Sequence, residues 1–407
     1  MTSLRPEVRP EEVGLSAARL ERIRPLLQHY VDSGKLAGVV SVIARHGKLV
    51  HVEAVGWLDA ENEVPMTTDA IFRIYSMTKP ITSAAALMLY EEGRFQLDDP
   101  VSMYIPAFRH AEVFTGQREG LIETVAPKRP ITVRDLFTHT AGLVLEPPLG
   151  SPLVPLFKAA NLGHYDQTLE EKVHRWIELP LAYHPGEHWG YGDSTDVLAY
   201  LIEVLSGQPF DVFLQERIFE PLGMNDTGFY VPEEKLHRLA TVYGRPRRGE
   251  LQVVESSHDS PFAQRRKLLS GSAGLVSTAA DYLRFAQALL NGGEWEGTRL
   301  LGRKTVELMT QNHLPEALIP FELPWRNLEH YTKGCGFGLG VRVVRDVPAT
   351  GIVGSVGEYG WAGKNNTFYW ADPKEGLVLL LFTQFQPFLF YPIDRQFKVL
   401  AYQAIEA

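Results

Sequence analysis

Runs with the character of β-strands gather at the two ends of this chain, and the stretch between them is helical. AGVVSVIARHGKLVHVEAVGW (37–57) gives two such runs split by His46-Gly47-Lys48, a hairpin signal. Four more follow late, at 337–344, 351–357, 366–372 and 376–384. Helical periodicity marks 16–34, the segment after Ser76, 133–138, 168–178, 193–206, 209–219, 277–291 and 392–405. Strands contributed by both chain ends predict an α+β fold: one mostly antiparallel sheet flanked by helices, with an inserted helical lobe. The expected division is 1–105 with 255–407 for the sheet-bearing domain and 106–254 for the helical one.

Charge narrows the partners. A net charge of -9 gives no bulk attraction for phosphate backbones, so no nucleic-acid partner is expected. The longest apolar run, LVLLLF (377–382), has the length of a buried strand, and no membrane association is expected. The single cysteine, Cys335, allows no internal disulfide and reads as a structural residue. The first residues lack the apolar core of a signal peptide, and a cytoplasmic location is the expectation. His184 and His188 flank a Pro-Gly pair that breaks helical spacing, so no metal site is expected there and no cofactor is called for.

The chemistry concentrates at FRIYSMTKPITSAAALMLYEEG (72–93). Proline is tolerated only in the first turn of a helix, so Pro80 sets a helix start near Ser76. Positions three apart share a helix face, which makes Ser76 and Lys79 neighbours. The helix N-terminus favours a developing anion. S-x-x-K alone is a weak signal, and a capping serine with a solvated lysine is the bland alternative. Further on, PLAYHPGEHWGYGDSTDVLAYL (180–201) carries Tyr191 at a loop-to-helix junction, with Asp193 or Ser194 as a cap. GEYGWAGKNNTFYWADP (357–373) reads as two strands joined by a Gly-rich turn whose amides near Gly363 and Lys364 can face a carbonyl.

Taken together, Ser76-x-x-Lys79, Tyr191-Gly192-Asp193 and Trp361-Ala362-Gly363 resemble the three ordered motifs of the serine β-lactamase and penicillin-binding-protein superfamily. The resemblance runs over roughly residues 15–400 and is strongest to class C β-lactamases and family VIII carboxylesterases. It implies a β-lactamase/transpeptidase-like fold and acyl transfer through a serine ester. Ser76 would be the nucleophile, and Lys79 with Tyr191 would handle its proton as one unit. The oxyanion would lie between the amides of Ser76 and Lys364. Trp361 stands where the lactamases carry the lysine of Lys-Thr-Gly, and its apolar face suits an uncharged ester. Tyr75, Phe137, Tyr359, Phe385 and Phe388 are candidate wall residues. His139 in THTAG reads as structural. Asp193 replaces an asparagine of the lactamases, and its charge would favour a protonated Lys79 and leave Tyr191 as the base.

The implied activity is a carboxylesterase acting on short-chain or aryl esters, with a small-molecule partner and weak β-lactam hydrolysis as an accompaniment. A β-lactamase or DD-peptidase, an acyltransferase of the same fold and a silent scaffold are the competitors. No G-x-S-x-G occurs, so an α/β-hydrolase elbow is not available.

Overall fold

The computed structural model describes residues 4–147, 150–245, 249–325 and 328–406. Eight strands form the main sheet: β1 (Gly38–Arg45), β2 (Lys48–Asp59), β3 (Val64–Pro65), β4 (Cys335–Phe337), β5 (Arg342–Val344), β6 (Tyr359–Gly363), β7 (Thr367–Asp372) and β8 (Leu377–Thr383). Their spatial order is β4-β5-β6-β7-β8-β1-β2-β3, and every pairing is antiparallel. The central junction pairs β1 with β8, Val39 opposite Thr383 through Arg45 opposite Leu377. Both strands are buried along their whole length. That accounts for their near-continuous apolar sequences, where a half-exposed strand would alternate.

Three sequence expectations are corrected. Residues 351–357 form no strand; Gly351, Gly354 and Gly357 all take positive φ (65°, 156° and 89°), a backbone that cannot join a ladder. The 337–344 run breaks at a turn around Gly340 (φ 88°) into β4 and β5. The Trp361-Ala362-Gly363 segment, expected in a turn, is the end of strand β6.

Behind the sheet, helix Thr78–Glu91 is buried from Thr78 to Leu89. It packs on helix Ser194–Ser206. Gly271 lies between the two: a Cβ there would stand 2.6 Å from Ala199 Cβ and 3.0 Å from Thr82 Cγ2. The run of small residues Ala84, Ala85 and Ala86 lets this helix sit fully inside the protein. The 147–163 stretch, which reads as an irregular lid, contains helix Val154–Ala160; Pro148 and Leu149 lie outside the described residues. Among the described residues no single helix is long and apolar enough to cross a membrane.

Candidate active site

Strand Ile71–Arg73 pairs with Val276–Thr278 and ends at a 3-10 turn, Tyr75–Met77, that leads into helix Thr78–Glu91. The α-helix proper thus begins two residues after Ser76, with Pro80 in its first turn. Arg73 anchors the approach. Its buried guanidinium donates to Ala240 O (2.6 Å) and Ser260 Oγ (3.2 Å) and pairs with Glu255. Tyr75 takes φ 41°, unusual for a side chain of this size. Strain at the residue before a candidate nucleophile is where such a cost is commonly met.

Lys79 Nζ lies 3.5 Å from Ser76 Oγ and donates to Ser272 O at 3.1 Å. It stands 4.6 Å from the centre of the Tyr191 ring. Ser76 and Lys79, Tyr191 and Ser272 thus bring three segments of the chain together around the Lys79 ammonium. Gly192 makes this possible, since a Cβ there would fall 2.2 Å from Leu143 O. The Tyr191 ring stacks on Trp189 (interplanar 18°) and touches Trp325 and Trp361.

Ser76, Lys79, Tyr191, Tyr75, Asp193, Trp361, Gly363 and Lys364 all border one open cavity of about 1170 Å³. Strand β6 runs past β5, which pairs only with Tyr359 and Gly360, so its Trp361–Gly363 end has an uncovered edge. That end packs on the Ser76 turn. A Cβ on Gly363 would lie 2.3 Å from Ile74 O, so the position requires glycine. The Lys364 side chain is exposed. Its turn is held by Asn366, whose amide nitrogen donates to Gly363 O (3.0 Å) and whose side chain donates to Phe385 O (2.8 Å).

Three of the expected wall residues, Phe137, Tyr359 and Phe385, are corrected. Phe137, 1% exposed, is a core residue of helix Val133–Thr138 and does not border the cavity. Tyr359, also 1% exposed, starts β6 on the far side from Ser76. Both are apolar positions of buried elements, which sequence cannot separate from a pocket lining. Phe388 does border the cavity, whereas Phe385 is buried away from it.

Asp193 is not a bare charge beside Lys79. Its Oδ2 is 2.7 Å from Lys172 Nζ, and Lys172 also pairs with the fully buried Asp196. Burial alone would raise the Asp193 pKa, but the charges of Lys172 and Lys79 outweigh it and hold the carboxyl below its ordinary value. Burial opposes the charge on Lys172 too, and its two carboxylates win, raising its pKa. Lys172 is thus shared between two carboxylates, and the charge of Lys79 acts on Asp193 as well. Asp196 Oδ1 in turn accepts from Ser272 N (2.7 Å) and Ser270 Oγ (2.8 Å). Ser272 thus links the buried ion cluster to Lys79 through its own carbonyl.

Lys172 was legible only in hindsight of its spacing. With Leu169, Val173 and Trp176 it occupies the buried face of helix Leu169–Ile177, a lysine on an apolar stripe. His139 caps helix Val133–Thr138 at φ 57° and lies against Trp189, Tyr191 and Phe337. Burial and the Lys79 charge push its pKa well below the ordinary value, so it is neutral. Cys335 is buried, with its thiol pKa raised by burial.

A beta-lactamase family model matches residues 23–403. The chain belongs to the beta-lactamase family. Within that family it is 32% identical to Protein Rv1367c of Mycobacterium tuberculosis, covering 89% of each chain. It is 31% identical to Esterase EstB of Burkholderia gladioli, over 92% of this chain and 93% of that one. Among solved structures, EstCE1, described as a hydrolase with promiscuous acyltransferase activity, superposes with a TM-score of 0.78 at 26% identity, covering 96% of this chain and 99% of that one. The α+β fold with its antiparallel sheet and flanking helices is that of the family.

Proposed function

We propose that this protein is a serine carboxylesterase. The observation that carries the reading is the meeting of Ser76, Lys79 and Tyr191 on a cavity whose wall is largely apolar, with Leu323, Trp325, Leu328, Trp361 and Phe388 among its residues. Ser76 Oγ attacks the ester carbonyl. Its proton passes to the Lys79–Tyr191 unit and from there to the leaving alcohol. The tetrahedral oxyanion lies between the amides of Ser76 and Lys364, and water then repeats the sequence on the acyl-serine. Because Lys79 is held by an uncharged carbonyl, that of Ser272, it can exchange a proton with Ser76 without breaking an ion pair.

The esterase names of the relatives support this reading over a β-lactamase. Trp361 on the cavity wall supports it too, since it offers no cation where the lactamases place their lysine. Acyl transfer to an alcohol is the second reading, favoured by the description of EstCE1. The test is hydrolysis of p-nitrophenyl acetate, butyrate and octanoate against nitrocefin, for parent and Ser76→Ala. Ester cleavage that outpaces nitrocefin and disappears in the variant is expected. Nitrocefin turnover faster than that of every ester, or an unaffected variant, would overturn the reading.

A further inference from the structure

The cavity extends from Ser76 past Tyr75 to a cation that no part of the proposed reaction uses. Arg266 borders it, with its guanidinium carbon 4.0 Å from the centre of the Phe262 ring and 4.6 Å from that of Tyr165. Nη2 donates to Phe229 O (3.1 Å) and Gly274 O (3.2 Å). Nε is buried with no hydrogen-bond partner. A carboxylate contributing to its environment, Glu255, bonds Arg73 and Ser260 through Oε1. Arg266 forms no ion pair among the described residues. A guanidinium held against two rings, without an ion-pair partner and with Nη1 uncommitted, is a fixed cation for a carboxylate.

Its place relative to the nucleophile is set by short links. Ile74 N donates to Leu275 O (3.1 Å), next to the carbonyl of Gly274 that Arg266 holds. Phe262, under Arg266, meets the Tyr75 ring edge-on at 5.7 Å. Lys364 Nζ lies 5.8 Å from the centre of the same Tyr75 ring, and it too has no ion-pair partner among the described residues. Of the carboxylates on the cavity, Asp193 is paired with Lys172, which leaves Glu146. So a chain of net charge -9 builds a cationic arm beside its Ser76 turn.

We infer that Arg266, assisted by Lys364, binds a carboxylate at the remote end of the substrate's acyl chain, so that the preferred substrates are monoesters of dicarboxylic acids. The inference rests on the esterase reading and narrows its substrate class. The ester itself remains uncharged and still meets Trp361; the anion sits at the far end of the acyl chain.

The experiment compares p-nitrophenyl monoesters of succinic, adipic and suberic acids with the butyrate, hexanoate and octanoate, in parent and Arg266→Met. A charge-assisted hydrogen bond corresponds to roughly ten- to hundred-fold in kcat/KM. We expect at least one acidic monoester to exceed its neutral counterpart by that factor in the parent, mainly through KM. The preference should shrink at high ionic strength and collapse in Arg266→Met. The parent's selectivity and its salt dependence decide the matter even if the variant does not fold. Neutral esters turned over as fast as, or faster than, every acidic one by the parent would overturn the inference and leave the esterase reading intact. No turnover of any ester would overturn both. A preference that survives in Arg266→Met would also overturn the role of Arg266.

Discussion

Lys172→Met removes the cation from a cluster that holds two aspartates, and its cost can be worked out. Lys172 is 3% exposed, Asp196 is fully buried, and Asp193 has no other ion-pair partner among the described residues. Removing one partner of a buried ion pair costs about 3–5 kcal/mol, because the remaining charge keeps its desolvation penalty. At roughly 2.1 cal/mol/K per residue, a chain of 407 residues has an unfolding entropy of about 0.85 kcal/mol/K. A loss of about 4 kcal/mol then lowers the melting midpoint by about 5 °C. The effect has a pH signature. In the parent, the Asp193 pKa is depressed, so its contribution is present above the unfolded value near 4 and fades only as pH falls through the folded one. In the variant, Asp193 without its partner is harder to ionise, so the deficit grows as pH rises from 5 to 8. Thermal melts of both proteins at pH 5, 6.5 and 8 measure this directly. Ester turnover should fall as well, since Asp196 holds the Ser272 amide whose carbonyl receives Lys79. A variant that melts within 1 °C of the parent at pH 8 would refute the claim that Lys172 compensates buried charge.

Three further outcomes are expected. Gly363→Ala forces a methyl group to within 2.3 Å of Ile74 O, so kcat for p-nitrophenyl butyrate should drop about 100-fold as the β6 edge is pushed from Ser76, with a smaller change in KM. Phe137→Ala should cost about 3–5 kcal/mol in denaturant unfolding yet leave the ranking of acyl chain lengths unchanged, whereas Trp361→Ala should alter that ranking. His139 is neutral when folded, with a depressed pKa, so it destabilises the fold by about 1.4 kcal/mol for each pH unit below about 6.5, and His139→Asn should flatten the acid limb of the melting profile between pH 6.5 and 5.

The sheet and the grouping of Ser76, Lys79 and Tyr191 were legible because each carries a local signature. β1 and β2 announce themselves by β-branched runs, β7 and β8 by aromatic and aliphatic ones, and Pro80 marks the helix start to within two residues. What was hidden depends on tertiary placement. Trp361-Ala362-Gly363 is Gly-rich and looks like a turn, yet the tight approach of Ile74 is what demands the glycine. Phe137 and Trp361 are both buried aromatics, and only the folded chain shows which one faces a void. Lys172 and Arg266 sit on segments without a motif, and they matter because of partners from other segments, Asp193 for Lys172 and Tyr165 for Arg266.

The pairing of β1 with β8 has a consequence for how this enzyme comes into being on the ribosome. Ser76 and Lys79 emerge early, but the strand edge at Gly363 and the central partner Leu377–Thr383 emerge last. The first third of the chain must wait, with its apolar β1 uncovered on one side, until nearly the whole sequence has been made. A nascent chain or a product of premature termination therefore carries the Ser76 turn without the β6 edge that packs on it. The cavity is complete only once the last strand has closed the sheet, so the candidate site assembles with the end of synthesis and not ahead of it.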